Sequence, residues 1–414
     1  MMRSFYAGVA GLRNHQIRMD VIGNNIANVN TIGFKASRVT FADMLYQTLG
    51  GSSAPEGGLG GTNPRQVGLG VSVGSIDTIF TQGNIESTGR TTDLAIEGEG
   101  FFVLTGGNAE RYVTRAGAFT LDEEGYLVNP AGYRLMGWQA VNGVINTDSD
   151  VPGIIQIRKG EEIPPGATTA CEWGGNLDSR SAVGDTRVTS QQIYDSQGNL
   201  HELTVTFQKA GVNTWTWTAT CSSGVLTIED SAGNPQPSGS VNFNLDGSFA
   251  SADNFTINIT GIPGVQDIVI TPDFSKLTQY ANVSSANIEV QNGYPRGSLT
   301  SIDIDSRGVI TGLYSNGRHR KLAQVAIGNF ANVEGLTRVG QSMFMESNNS
   351  GELVIDQALT GGRGVIKAGS VEMSNVDLSQ QFTDMIITQR GFQANSRVIT
   401  TSDEMLQELV NLKR

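Results

Sequence analysis

The residues in this sequence that could do chemistry are few, and the first are Gly70-Val71-Ser72-Val73-Gly74. Their G-x-S-x-G spacing is that of a nucleophile elbow, which needs a strand ending at the serine, a helix after it, and an acid and a histidine later in the chain. Here Val71, Val73 and Ile76 carry the alternation straight through, so Ser72 reads as a strand residue. His201 and His319 are the only later histidines, and both lie in hairpin-like sequence. A secreted serine hydrolase built on Ser72 is kept only as an alternative from another class.

Metal and cofactor chemistry has even less to work with. Asp303-Ile304-Asp305-Ser306-Arg307-Gly308 begins like a calcium loop, but Arg307 takes the fifth position and Tyr314 the twelfth, where a bidentate Glu belongs. A β-turn is the expectation there. With 3 histidines and 2 cysteines, Cys171 and Cys221, a zinc site lacks ligands and at most one disulfide can form. No G-x-G-x-x-G, P-loop, H-E-x-x-H or C-x-x-C occurs. The expectation is no enzyme, no metal and no cofactor.

Composition points to a β-rich body. Of the 414 residues 16% are charged, against about 25% in an average soluble protein, and 52 are glycine but only 11 proline. The net charge is −12 with no basic block, which argues against nucleic acid and against anionic lipid. No apolar run approaches the ~18 residues of a membrane span. The start, Met1-Met2-Arg3-Ser4-Phe5-Tyr6, lacks the apolar stretch of a cleaved secretory signal.

The elements that must position anything else are helices at the two ends. Phe5, Gly8, Leu12, His15, Met19, Ile22, Ile26 and Val29 step by threes and fours, a heptad-type stripe. Ser4 is placed to cap its start, and Asn28, Asn30 and Gly33 to stop it. Leu378, Phe382, Met385, Gln389, Phe392, Ser396, Ile399, Asp403, Leu406 and Val410 repeat the pattern, with Asp377 and Gln380 placed as a capping box. The two stripes are expected to pair as a helical hairpin. Polar breaks at His15, Gln389, Ser396 and Asp403 leave that core thin, so identical helices of other subunits are the expected further partner. Such ends should be largely disordered in an isolated chain.

Between the ends, short β-branched or aromatic runs alternate with turn signals. Thr204–Phe207, Thr214–Ala219, Val225–Ile228, Phe255–Ile259 and Val325–Ile327 read as strands. Asp122-Glu123-Glu124-Gly125, Asp195-Ser196-Gln197-Gly198, Asp246-Gly247, Asp305-Ser306-Arg307-Gly308 and Ser315-Asn316-Gly317 read as hairpin turns. The Gly-rich stretch 50–63 reads as a long loop or arm.

The segment Asn24-Asn25-Ile26-Ala27-Asn28-Val29-Asn30-Thr31-Ile32-Gly33-Phe34-Lys35 closely resembles the signature shared by flagellar axial proteins. Asp93-Leu94-Ala95-Ile96-Glu97-Gly98-Glu99-Gly100-Phe101-Phe102-Val103 resembles a second shared motif, and Tyr112-Val113-Thr114-Arg115-Ala116-Gly117-Ala118-Phe119 a third. Asn375-Val376-Asp377-Leu378 and Gln389-Arg390-Gly391-Phe392-Gln393-Ala394-Asn395-Ser396 complete the set, in family order. An extra β-rich block, from about Asp148 to Tyr280, is similar to the outer domain of the hook members. The arm at 50–63 resembles an insertion of the distal rod subunit that longer hook members also carry, so a distal rod subunit is the main alternative.

This resemblance implies a mainly β, elongated and nested chain. Residues 1–30 and 376–414 would pair as a coiled coil, 31–73 and 362–375 form a linker, 74–147 and 281–361 an inner β-domain, and 148–280 an outer one. It implies polymerisation into the flexible hook that joins motor to filament. The implied partners are further copies of the chain, rod and hook-associated proteins at the two ends, and a cap and the flagellar type III export apparatus during assembly. It implies a place outside the cell, reached without a cleaved signal and without membrane insertion. Spirochaete hook proteins cross-link a lysine to a cysteine-derived residue just before Asn-Leu-Asp. Here Gly175 precedes Asn176-Leu177-Asp178 and Cys171 lies four residues earlier, with Lys159 upstream, so a Cys171–Lys159 cross-link stands beside the plainer reading of a free thiol.

Overall fold

The computed structural model describes residues 2–55, 60–107, 110–147, 151–158 and 160–411. The chain is mainly β with a helix at each end, α1 (Met2–Ala27) and α2 (Leu378–Asn411). It divides into two compact units. The first holds residues 1–158, 302–311 and 320–414, and the second 159–301 and 312–319.

In the first unit α1 and α2 lie side by side and antiparallel. Asp377 caps α2, its Oδ1 accepting from Ser379 N at 2.8 Å and Gln380 N at 3.2 Å. The return half of the expected box is missing, because the Gln380 amide turns to Asp384 Oδ2, 3.3 Å away. Ser4 also departs from expectation. It sits inside α1, which begins at Met2, and is not its cap.

α1 rests on an antiparallel pair of strands, Ser37–Asp43 and Val71–Thr78. Asn14 Nδ2 donates to Val71 O at 2.6 Å. Asn25 donates to Ser37 O at 2.7 Å and accepts from Ser37 N at 3.0 Å. Ser72 lies within the second of these strands and its Oγ donates to Ala42 O. No helix follows it, so the elbow geometry is absent. The stretch 50–63 expected as an arm connects the strands of a hairpin, Tyr46–Gly50 against Arg65–Gly68, with Leu45, Tyr46 and Leu49 exposed. Residues 56–59 lie outside the described residues.

The β-body of this unit is sewn from both halves of the sequence. Phe101–Thr105 pairs with Arg111–Thr114, with Arg134–Gln139 and with Ile327–Asn329. Gly137, Trp138 and Gln139 pair with Val325, Gln324 and Ala323. Leu94–Glu97 pairs with Val365–Ala368, and Ile85–Ser87 with Ser370–Glu372. Phe101, Val103, Val113, Met136, Phe330 and Phe344 fill one core beneath these strands.

The second unit is two sheets around one core. Five strands run in the order Thr186–Tyr194, Leu200–Gly211, Thr214–Cys221, Gly239–Phe243, Phe249–Ala252. Six others include the long strand Ile268–Thr278, which runs parallel to Ala170–Asn176. Alternate residues of both sheets point inward, and Trp173, Phe207, Trp215, Trp217, Ile257 and Phe274 meet between them.

The turns follow one chemistry. In the Asp-x-x-Gly-x turns at Asp195, Asp230 and Asp305 the aspartate accepts from the backbone N–H groups two and four residues on. Asp195 Oδ1 accepts from Gln197 N and Asn199 N, both at 2.8 Å, and Asp305 Oδ1 from Arg307 N at 2.9 Å and Val309 N at 2.8 Å. The glycine then takes positive φ, 85° at Gly198 and 76° at Gly308, where a Cβ would be strained. The calcium-like Asp305 is thus committed to closing a hairpin.

Candidate assembly interface

The seam between α1 and α2 is small and polar. Gly8 faces Ile399, Gly11 faces the Asn395 amide, and Gly391 faces the His15 ring. A Cβ on Gly11 would stand 2.6 Å from Asn395 Nδ2, and one on Gly391 2.8 Å from the imidazole, so each glycine permits an approach that alanine would block. Further along, Arg18 Nη2 pairs with Asp384 Oδ1 at 3.1 Å, and Asn25 Nδ2 donates to Gln381 Oε1 at 3.1 Å.

The buried Thr388 and Ser402 hydroxyls donate back to the carbonyls of Asp384 and Val398, at 2.7 Å each. His15 stacks edge-on against Phe41. Burial first, then the Arg18 charge, pulls its imidazole below the ordinary value. Gly391, in mid-helix, therefore makes room for a ring.

The predicted stripe residues fall in three groups. Ile22 is buried. Phe5, Leu12, Met19, Ile26, Val29, Met385, Ile399 and Leu406 are half-buried. Leu378, Phe382, Phe392 and Val410 are exposed, at 39%, 51%, 38% and 67% of their surface. The stripe of α2 thus sits one residue to the side of the row facing α1, which runs through Gln381, Asp384, Thr388, Gly391, Asn395 and Ser402. Periodicity of apolar residues missed that row. A search for small and polar residues at the same three-and-four spacing would have found it.

The signature motifs meet at the base of the helices. Lys35 Nζ lies 2.6 Å from Glu372 Oε1, and both side chains are wholly buried. Arg115 Nη1 approaches Glu372 Oε2 at 3.3 Å, and Gly83 N donates to Oε1 at 2.8 Å. Lys35 Nζ also donates to Thr81 O, and Arg115 Nη2 to Gly98 O, both at 2.8 Å. Burial pushes the Lys35 ammonium and the Arg115 guanidinium below their usual values, while Glu372 holds both up.

Asn375 works beside this clasp. Its Oδ1 accepts from Ala36 N at 2.7 Å and its Nδ2 donates to Ile79 O at 2.9 Å. Arg338 donates to Lys35 O and lies over the Phe34 ring. Gly33 and Phe34 are buried. Asn24, Asn28, Asn30 and Thr31 line a cleft of about 600 Å³ whose far wall is Met343 and Phe344. Glu372 belongs to no motif recognised in the sequence.

The remaining sequence candidates do not gather. Cys171 is packed in the core of the second unit, where burial pushes its thiol up to about 12, and Cys221 is half-buried. Lys159 lies outside the described residues. His201 Nε2 donates to Asp195 Oδ2 at 3.0 Å within a turn. His319 is an exposed strand residue.

A seam built from two chain ends, clasped at its base and carrying apolar side chains on its outside, is the equipment of an assembly subunit. Family models match in the order the motifs predict. They are the flagella basal body rod protein at residues 5–35, the flagellar hook protein FlgE/F/G D1 domain at 95–168, the flagellar basal body protein FlaE D2 domain at 169–294, and the flagellar basal body rod FlgEFG protein C-terminal at 367–412. The flagellar hook protein FlgE of Borreliella burgdorferi is 43% identical over 100% of both chains. The flagellar basal-body rod protein FlgG of Bacillus subtilis is 34% identical over 100% of both. A crystal structure of Helicobacter pylori flagellar hook protein FlgE2 matches with a TM-score of 0.53 at 15% identity, covering 70% of this chain and 100% of that one, which speaks to the fold alone. The chain belongs to the flagellar hook protein family, and it is a structural subunit of the hook.

Proposed function

We propose that copies of this chain polymerise through the outer faces of their terminal helices. The observation that carries this is the set of large apolar side chains that α2 leaves in water outside its seam with α1, among them Phe382, Ile386, Ile387 and Phe392. A helix leaves such side chains in water only at a cost, and burying each contributes on the order of 1.5–3 kcal/mol. The seam residues Phe5, Leu12, Met19, Ile26 and Val29 of α1 and Met385, Ile399 and Leu406 of α2, half-buried in one chain, complete their burial in the polymer.

The tube so formed acts as the flexible joint that transmits torque, without catalysis. It meets rod proteins at one end and hook-associated proteins at the other, and grows under a cap outside the cell from subunits passed through the type III export apparatus. The first unit divides further into a helical layer (1–30, 376–414), a linker (31–73, 362–375) and an inner β-domain, the last without the 281–301 and 312–319 that its expected span of 281–361 included. The second unit is the extra β-rich block, and it holds 281–301 and 312–319 as well as 159–280. A distal rod subunit remains the second reading, supported by the rod relative that matches end to end.

The deciding experiment is electron microscopy of a strain lacking the gene. Finished rods without hooks are the expected result. Missing rods would refute it in favour of the distal rod.

A further inference from the structure

The sequence holds three Asn-Gly pairs, at 142–143, 292–293 and 316–317. In such a pair the glycine nitrogen can attack the side-chain carbonyl carbon of the asparagine, since glycine has no Cβ to hinder the approach. Two groups must be free for this. They are the asparagine amide that receives the attack and the glycine N–H that makes it.

At Asn292 both are held. Its Oδ1 accepts from Thr169 N at 2.9 Å and Ala170 N at 3.1 Å, and its Nδ2 donates to Thr169 Oγ1 at 2.7 Å. Gly293 N donates to Gln291 Oε1 at 2.7 Å. At Asn316 both are held again. Nδ2 donates to Pro295 O at 2.9 Å, Oδ1 accepts from Arg318 N at 3.1 Å, and Gly317 N donates to Tyr314 O at 2.9 Å.

Asn142 is the exception. Among the described residues none hydrogen-bonds its side chain, and none accepts from Gly143 N. The pair forms the tip of a two-residue turn, with φ of 53° at Asn142 and 80° at Gly143. Two backbone bonds between Val141 and Val144, 2.9 and 3.1 Å long, close the turn, and both valines are exposed. A turn held by so few contacts opens readily, which lets the Asn142 amide carbon swing over Gly143 N. Arg320 runs beside it, with Nε 3.7 Å from where a Cβ on Gly143 would stand. Its cation favours the negative charge that builds as the nitrogen loses its proton.

We propose that Asn142 is a site of spontaneous deamidation in the folded chain, from which Asn292 and Asn316 are protected by their hydrogen bonds. Gly143 N gives its proton to hydroxide and bonds to Asn142 Cγ. The Cγ–Nδ2 bond then breaks, and the side-chain nitrogen takes a proton from water and leaves as ammonia. Water opens the resulting cyclic imide at either carbonyl carbon, giving aspartate or isoaspartate. Each event makes the chain one unit more acidic than its −12 and sets the new carboxylate near Arg320.

The test is peptide mapping by mass spectrometry of full-length chain held at mildly alkaline pH, folded in one sample and unfolded in urea in the other. In the folded sample Asn142 should convert at least tenfold faster than Asn292 or Asn316. In urea the three rates should fall within a few-fold of one another. An Asn142→Ser variant should no longer accumulate the acidic form that ion exchange resolves. Equal rates at the three sites in the folded chain would overturn the inference, as would an Asn142 that converts only in urea. A preference for Asn142 that persists undiminished in urea would overturn the protection assigned to the other two.

Discussion

Lys35 and Glu372 lie 337 residues apart in the chain, yet their side chains meet at 2.6 Å with neither exposed to solvent. Arg115 joins from a third motif, so one carboxylate answers two buried cations. Removing one partner of a buried ion pair leaves an uncompensated charge, which costs about 3–5 kcal/mol. Glu372→Gln should therefore lower the stability of the first unit by about that much, read as a shifted urea midpoint with unchanged slope. Lys35→Met should cost less, because Arg115 and Gly83 N still engage the carboxylate. Equal and small effects of both changes would show that the clasp is not a stability element.

The terminal helices separate two kinds of apolar residue. Phe392 is exposed and Ile22 is 5% exposed. Phe392→Asp should leave the soluble subunit folded by circular dichroism while abolishing tubes in the electron microscope. Ile22→Asp places a charge inside one chain and should already loosen the docking of α1, seen as faster hydrogen exchange across α1. Tubes from Phe392→Asp protein at the normal concentration would remove the support for outward packing of α2.

The two cysteines should differ sharply toward thiol reagents. With its thiol pushed up to about 12 by burial, Cys171 is a thiolate in roughly one molecule in ten thousand at pH 8. A native subunit should take up one maleimide at Cys221, and a second only after unfolding. Rapid native labelling of Cys171, or its loss to a cross-link in tubes, would revive a reactive role for it.

Asp195 carries the clearest pH signature. Burial alone would raise its pKa, but hydrogen bonds from His201, Asn199 and Gln197 outweigh it and hold the carboxyl at about 2. Because that value lies below the ordinary ~3.9 of an unfolded chain, the stabilisation is full above about pH 4 and is lost as pH falls through 2. Asp195→Ala should cost about 1–3 kcal/mol at pH 7, with the gap to the unaltered chain narrowing below pH 4. Tryptophan fluorescence can follow this, since Trp173, Trp215 and Trp217 lie in the core of the second unit. A gap that stays constant down to pH 2 would rule out the charged turn.

Much of this architecture was legible in the residues. The terminal helices, the strand runs and the Asp-x-x-Gly turns announce themselves because their signals are local, a matter of period or of one side chain bonding its own backbone. The helix seam was harder, because Gly11, Gly391 and Asn395 are chosen for the space they leave, and apolar periodicity does not register an absence. Glu372 was invisible for a different reason. Its meaning depends on Lys35 and Arg115, which the fold brings near and the sequence keeps far apart.

The pairing of Ile85–Ser87 with Ser370–Glu372 sets an order of events. Ser87 reaches the Gly369 carbonyl across 282 residues, whereas most of the second unit is one unbroken stretch of chain from 159 to 301. Closing the longer loop costs more entropy and must await nearly the whole polypeptide, so contacts of that span form late. The second unit can reach its native packing early and on its own. The first waits for its last forty-odd residues, beginning at Glu372, and the clasp that joins the helix bases is then among the final contacts to form.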